Sequence, residues 1–594
     1  SSTSVIGWSQ LGVVRSDARF VEGLRLKEKS EVQEIDEPYT LIHGKRSACR
    51  AQARQQSFLF ENADGKQMGV TFRVANDGVA FRYTFPGKSD GPVEVIEELT
   101  SFAVPAAGRA WLTPYDEPTK YTPAYERYYE NVAIGSDSET AQGWAFPALF
   151  RLPNDAGWVL LTESAVDGSY CGSRLAQKSP KGVYRLRIPD SGEGLGQGDV
   201  HPSGELPWTL PWRVVMVAPS LAGIVESTLV TDLAPPSEVK DTSWVKPGRA
   251  SWSWWSDHDS PQDYNKMVEF IDLASEMGWE YFLVDANWTL MDNGDVRKLA
   301  QYAAEKNVGL WLWYNSGGEH NVVTEKPRGC MKATELRKFE FDLLMKWGIK
   351  GVKIDFFQSD KQNIMQQYEG ILSDAAQAKI LINFHGCTLP RGWQRTWPHL
   401  LSMEAVRGAE CYTFAKEYPQ RAPELNTVLP FTRNAVGPMD YTPCTLSDDK
   451  YPHITTNAHE LALPVVFESG IVHFADRVSA YRGLPEAAKE FLRALPAAWD
   501  DTRFVAGEPG QLAAIARRKG DQWYVGVVSA QKESEPLTLA MPFLGEGEYQ
   551  GTVIADGKQP RQLAITKIDV RKGDELDLKL LPFGGAVLHL VPKK

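Results

Sequence analysis

A chain of 594 residues is too long for one hydrophobic core, and its length implies about two to four domains. The formal net charge of −12, with no lysine/arginine block, argues against a nucleic-acid surface, and no apolar run is long enough to span a bilayer. Within an ordinary globular composition, 43% hydrophobic and 24% charged, the 19 tryptophans and 21 tyrosines stand out, as rings that either fill β-rich cores or stack on sugar faces.

The six cysteines (Cys49, Cys171, Cys330, Cys387, Cys411 and Cys444) show no CxxC or metal-ligand spacing and read as isolated core or loop thiols, with one or two disulfides left open. The first residues, SSTSVIGW, lack a basic segment followed by an apolar one. That fits either a cytoplasmic protein or a mature form whose signal peptide has been removed. From residue 1 to about 240 the chain is a series of short β-branched or alternating runs, such as GWVLLTES and PWRVVMVAP, set between Gly, Pro, Asn and Asp. This predicts a large β-sandwich. Within it, Tyr121–Glu130 (YTPAYERYYE) is aromatic and acidic; read alone it is either a solvated loop with tyrosines packed on the sandwich, the preferred reading, or a loop reaching a sugar or a metal in a neighbouring domain.

A proline-marked linker at 233–248 separates this region from a different rhythm. Strands ASWSWW, YFLVDANW, GLWLWYN and GVKIDFF alternate with helical patterns over 260–278, 295–307, 334–348 and 361–379. Strands ILINFHG, LSMEAVRG and VLPFTRN follow, with ALPVVFESG or IVHFAD as the eighth. Apolar strands alternating with amphipathic helices predict a (β/α)8 TIM barrel over 241–500. Short strands return over 501–594, predicting a small all-β domain.

In such a barrel the reactive groups belong at the carboxyl ends of the strands. Those ends read WWSDHD, VDANW, WLWYNSGG, KIDFF, NFHG and MEAVRGAE, so carboxylates, amides, a histidine and tryptophans fall on one rim. Side-chain alternation places Asp285 with Asn287, Trp313 with Asn315, Lys353 with Asp355, and Asn383 with His385. Lys353 and Asp355 alone could be a structural ion pair. Six polar strand ends in succession instead describe a polar, aromatic pocket. With no phosphate loop, this is chemistry for cleaving a glycosidic bond, which needs two carboxyl groups. Asp355 on its rigid strand is the natural nucleophile, with Lys353 keeping it ionised. Glu404 and Glu410 are the candidates for the acid/base.

The stretches SWSWWSDHD, GVKIDFF, NFHGCTLPRGWQRTWPHL and SMEAVRGAE together resemble glycoside hydrolase family 97. The resemblance implies an N-terminal β-super-sandwich, a central (β/α)8 barrel and a C-terminal antiparallel β-sandwich. It also implies a retaining branch, which includes α-galactosidases, with Asp355 as nucleophile and Glu410 as acid/base. An inverting α-glucosidase branch carries glutamates after strands 3 and 5 instead. Here those places read Gly317-Gly318 and Gly386, although a two-residue slip would put Glu319 in the base position. The resemblance further implies Ca2+ held by Glu404, Glu410 and a cross-domain glutamate, expected to be Glu126 with Glu130 as fallback, and a periplasmic or secreted location. The expectation is a retaining, exo-acting α-galactosidase with Lys353, Asp285, Asn315 and His385 on sugar hydroxyls and tryptophans such as Trp313 as the platform. A glycan-binding protein without catalysis is the alternative from another class; it would not need both Asp355 and Glu410.

Overall fold

A computed structural model describes residues 5–448 and 450–593. The N-terminal region is antiparallel, with a 14-stranded sheet and a 4-stranded sheet. Its centre is the pair Trp158–Ser164 and Trp212–Ala218, both almost wholly buried. Long runs of apolar, β-branched and aromatic side chains on these strands explain why two sheets must pack against each other here.

The central region holds seven parallel strands: β1 (Gly248–Trp252), β2 (Tyr281–Val284), β3 (Gly309–Asn315), β4 (Gly351–Asp355), β5 (Leu381–Phe384), β6 (Leu400–Met403) and β7 (Ile471–Ala475). Their order is β6-β5-β4-β3-β2-β1-β7. Helices α1 (Tyr264–Met277), α2 (Val296–Glu305), α3 (Thr334–Trp347) and α4 (Gln362–Ala378) return the chain between the first five. Asp263 and Asp295 cap the N-termini of α1 and α2 by accepting backbone N–H groups.

The predicted seventh strand and one of the two candidates for the eighth fold otherwise; the other candidate, IVHFAD, forms β7. Residues 428–434 form the end of a helix and 3-10 turns, and ALPVV lies inside the helix Asn457–Val466. A short apolar run has no period that separates strand from buried helix, and Pro430 has no N–H to give a central strand. The gap between β6 and β7 is bridged by irregular backbone instead. Asp440 N donates to Met403 O at 3.0 Å, and Ala475 N donates to Pro443 O at 3.2 Å. The first strand is also shorter than its apolar run, because Trp254 and Trp255 already turn away after Trp252.

The C-terminal region has a six-stranded and a two-stranded antiparallel sheet with a hydrophobic core of its own. It packs on the helix Asn457–Val466 so closely that a Cβ at Gly585 would lie 2.6 Å from the His459 Cα. The N-terminal and barrel regions share one continuous core. All six cysteines are free, five of them buried. Among the described residues no helix is long and apolar enough to cross a membrane.

Candidate active site

The carboxyl ends of the strands bring together Asp285, Lys353, Asp355, His385, Glu404 and Glu410. Lys353, in the middle of β4, is 2% exposed. Its Nζ donates to Asp285 Oδ2 at 3.1 Å and to Glu410 Oε1 at 3.4 Å, and it sits 4.9 Å over the Trp252 ring. Burial works against the ammonium charge, but Asp285, Glu410, Asp355 and Glu404 outweigh it and hold the group protonated.

Asp355 ends β4 and is 9% exposed. Trp313 Nε1 donates to its Oδ2 at 3.1 Å. Burial pushes its carboxyl up to about 6, against the opposing pull of Lys353 and His385. Against an ordinary value of 3.8, that shift disfavours the charged form by about 3 kcal/mol. The carboxylate is therefore less stabilised than one in water. Next to it, Phe356 takes φ +71°, a left-handed conformation that a bulky side chain rarely adopts. Such strain is typical of backbone held in place for function.

Gly386 faces Asp355 from the end of β5. A Cβ there would stand 2.8 Å from Asp355 Oδ1 and 2.8 Å from Phe356 N, on backbone at φ +46°. No side chain, and so no glutamate, fits at 386 while Asp355 keeps its place. Glu319 is equally unsuited to be a base. Its side chain is 74% exposed and paired with Lys332 at 2.5 Å. The two-residue slip at strand 3 has no support in this geometry.

Glu410 is half-buried and lies between Lys353 and His385. Burial pushes its carboxyl up to about 7; Lys353 and His385 lower it, and Glu404 and Asp285 raise it. Glu404 follows β6 and accepts from Gly386 N through Oε2 at 2.8 Å. His385 Nδ1 lies 3.2 Å from Glu404 Oε1 and 3.6 Å from Glu410 Oε1. Burial disfavours charge on His385, yet Glu404 and Asp440 reverse this and keep it well above the usual histidine range.

Asp440 went unread in the sequence. It lies on the irregular segment that stands in for the missing strand, and its Oδ2 accepts from Asn383 Nδ2 at 2.6 Å, His385 Nε2 at 2.7 Å and His473 Nδ1 at 2.8 Å. Burial would raise its carboxyl, but the two histidines hold it well below the usual range. Asn383 and His385 do share a face, as alternation requires. His473, in the middle of β7, could have been found by the same parity argument; Asp440, inside GPMDYTP, carries no periodic signal.

Two expected sugar contacts are placed differently. Asn315 is fully buried and its amide is spent on its own loop: Nδ2 donates to Val323 O and Oδ1 accepts from Gly317 N. It shapes the rim. Trp313, 1% exposed, grips Asp355 and is too covered to be a platform. Accessible rings at this end include Trp254, stacked on Trp252 at 5.6 Å and on His258 at 3.9 Å, and Tyr121, which is 45% exposed and 6.1 Å from Phe356. Asp285 is 3% exposed, fixed by Trp252 Nε1 and Lys353, and reaches the site through that lysine.

The N-terminal region builds one wall. Gln358, just after β4, donates to Lys120 O, and Asp360 accepts from Tyr115, Tyr125 and Arg391. Arg391 in turn pairs with Glu163 at 2.6 Å. This docking carries the tyrosine-rich loop to the barrel mouth, where Glu126 faces Glu404 and Glu410. Burial, then those two carboxylates, push the Glu126 carboxyl well above its usual range. Glu130 is directed elsewhere, to Arg421 at 2.8 Å. Among the described residues the tight group of possible metal-ligand atoms is His385, Glu404 and Glu410, all within 4.8 Å of one another. Glu126 stands outside that group.

Three family profiles match the chain in order: Glycosyl-hydrolase 97 N-terminal over residues 1–236, Glycoside hydrolase 97 over 244–406, and Glycosyl-hydrolase 97 C-terminal, oligomerisation, over 498–591. The chain belongs to glycoside hydrolase family 97. As a family 97 member it is a glycoside hydrolase. A protein from Streptomyces bingchenggensis described as a probable retaining alpha-galactosidase is 34% identical over 98% of this chain and 86% of its own length. A retaining alpha-galactosidase from Bacteroides thetaiotaomicron is 28% identical over 88% of this chain and 83% of its own. The crystal structure of a beta-arabinopyranosidase superposes with a TM-score of 0.94 at 35% identity, covering 99% of this chain and 95% of that one.

Proposed function

We propose that this chain is a retaining, exo-acting α-galactosidase in which Asp355 is the nucleophile and Glu410 the acid/base. The observation that carries the reading is the pairing of Asp355 with Gly386. A carboxylate occupies the floor of the pocket where a water-holding glutamate after β5 would overlap it. In the first step Asp355 attacks the anomeric carbon as the bond to the leaving oxygen breaks, and protonated Glu410 gives its proton to that oxygen. In the second, ionised Glu410 takes a proton from water, whose oxygen attacks the same carbon and expels Asp355. Lys353 and His385 supply positive charge beside both carboxylates, and Trp313 orients the nucleophile. The relatives named as retaining alpha-galactosidases support this reading, and the presence of both carboxylates disfavours a binding protein without catalysis.

The beta-arabinopyranosidase neighbour favours a second substrate. A β-L-arabinopyranoside has the ring configuration of an α-galactoside without the C6 hydroxymethyl group. We expect aryl α-D-galactoside and aryl β-L-arabinopyranoside both to be hydrolysed, with aryl α-D-glucoside roughly 100-fold poorer in kcat/KM because its 4-hydroxyl is inverted. A preference for the glucoside would sink the assignment.

The donor set fits calcium. Glu404 and Glu410 stand together beside His385, and Glu126, outside that tight group, is pushed toward protonation by burial and by both glutamates with Arg407 opposing; a hard divalent cation prefers such carboxylate oxygens. When bound, the ion would supply fixed positive charge beside Glu410. Glu404 and Glu126 would hold it, with Glu410 at its edge. Calcium at a hundredfold excess over its Kd should add about 2.7 kcal/mol to stability. The expected readout is a higher Tm, reversed by chelator and abolished by Glu126→Gln. An unchanged Tm at millimolar calcium, with no metal in the purified protein, would count against the site.

A further inference from the structure

The outer side of α3 shows apolar surface that the barrel does not use. Arg337, Phe341 and Leu344 turn inward and are buried. Leu336, Phe339, Leu343 and Trp347 follow one another at spacings of three and four residues and form a separate stripe along the helix. Leu336 is 42% exposed and Phe339 is 62% exposed, with Leu343 and Trp347 half-buried. Among the described residues no other α-helix carries an exposed large apolar side chain.

The charges beside the stripe say what covers it. Glu335, Lys338, Asp342 and Lys346 are all exposed and, at 100° per residue, lie along one flank of it. In chain order their signs run minus, plus, minus, plus. That pattern is complementary to itself when reversed. A second α3 laid antiparallel across the stripe would bring Glu335 opposite Lys346 of the second copy and Lys338 opposite Asp342 of the second copy. Both pairings centre near residue 340, which places Phe339 close to its mate at the two-fold axis. In a parallel two-fold arrangement the charged flank of one copy would lie beside the opposite flank of the other, and these pairings would be lost.

We propose that α3 is a two-fold docking surface for a second copy of this chain, anchored on Phe339 and registered by the flanking charges. It is a different surface from the C-terminal region, which matches the profile whose description includes oligomerisation. The helix is only about 21 Å long, so the contact is small and its occupancy should depend on concentration.

Sedimentation velocity of the full chain over a concentration series tests this. The wild type should reach an assembly of twice the mass attained by Phe339→Glu at the same concentrations. Glu335→Lys should weaken the association about tenfold, and Glu335→Lys combined with Lys346→Glu should restore it. All three substitutions are on the helix surface, so far-ultraviolet circular dichroism and hydrolysis should match wild type. Equal masses for wild type and Phe339→Glu at every concentration would overturn the proposal, as would a double reversal no better than the single one.

Discussion

Replacing Asp355 with asparagine or alanine is expected to lower turnover by about four orders of magnitude or more, the scale seen when a covalent nucleophile is removed. The alanine variant leaves a space at the end of β4, bordered by the Trp313 indole N–H and Gly386. Azide can enter that space and attack the anomeric carbon from the nucleophile's face. An α-galactoside should then yield β-galactosyl azide, with the rate partly restored as azide rises. Asparagine keeps the hydrogen bond from Trp313 and most of the shape, so a large loss there isolates the missing nucleophilic charge. Normal turnover in Asp355→Asn would refute the assignment.

The second large effect belongs to Glu410. Glu410→Gln removes the proton donor and should cost about 10²- to 10⁴-fold with a poor leaving group. Aryl glycosides whose phenol leaves unaided should lose far less in the first step, so the penalty should grow with leaving-group pKa. The pH profile adds an independent signature. Activity requires Asp355 ionised and Glu410 protonated, and their carboxyls are pushed up to about 6 and about 7. The rate should therefore fall as pH drops through the lower value, where Asp355 takes up a proton. It should fall again as pH rises through the upper one, where Glu410 loses its proton. Because the two groups interact, the limbs report the pair. Glu410→Gln should erase the alkaline limb and leave the acid one. A variant that kept both limbs would show that another group donates the proton.

What the sequence made legible follows from periodicity. Lys353 and Asp355 are two residues apart on a buried strand, so their shared side was readable before any coordinates, as was that of Asn383 and His385. Helices α1 to α4 were placed within a few residues because their apolar residues recur at helical spacing between the strands. The later barrel was not readable. Once regular strands stop after β6, the wall is built from backbone at 437–443 that has no period, and Asp440 rides on it. Exposure also escapes a sequence reading. Trp313 and Asn315 have the right chemistry for sugar contact, yet one is spent on Asp355 and the other on a loop. The contact between Glu126 and the barrel depends on domain docking through Asp360 and Arg391, which no local pattern encodes.

Asp355 as the attacking group, and not a base for water, is the centre of the mechanism. Proton NMR of the sugar released from an α-galactoside, recorded before mutarotation, tests it most directly. Double displacement through Asp355 requires α-galactose as the first anomer to appear. β-Galactose appearing first would mean a single displacement by water and would contradict the role given to Asp355.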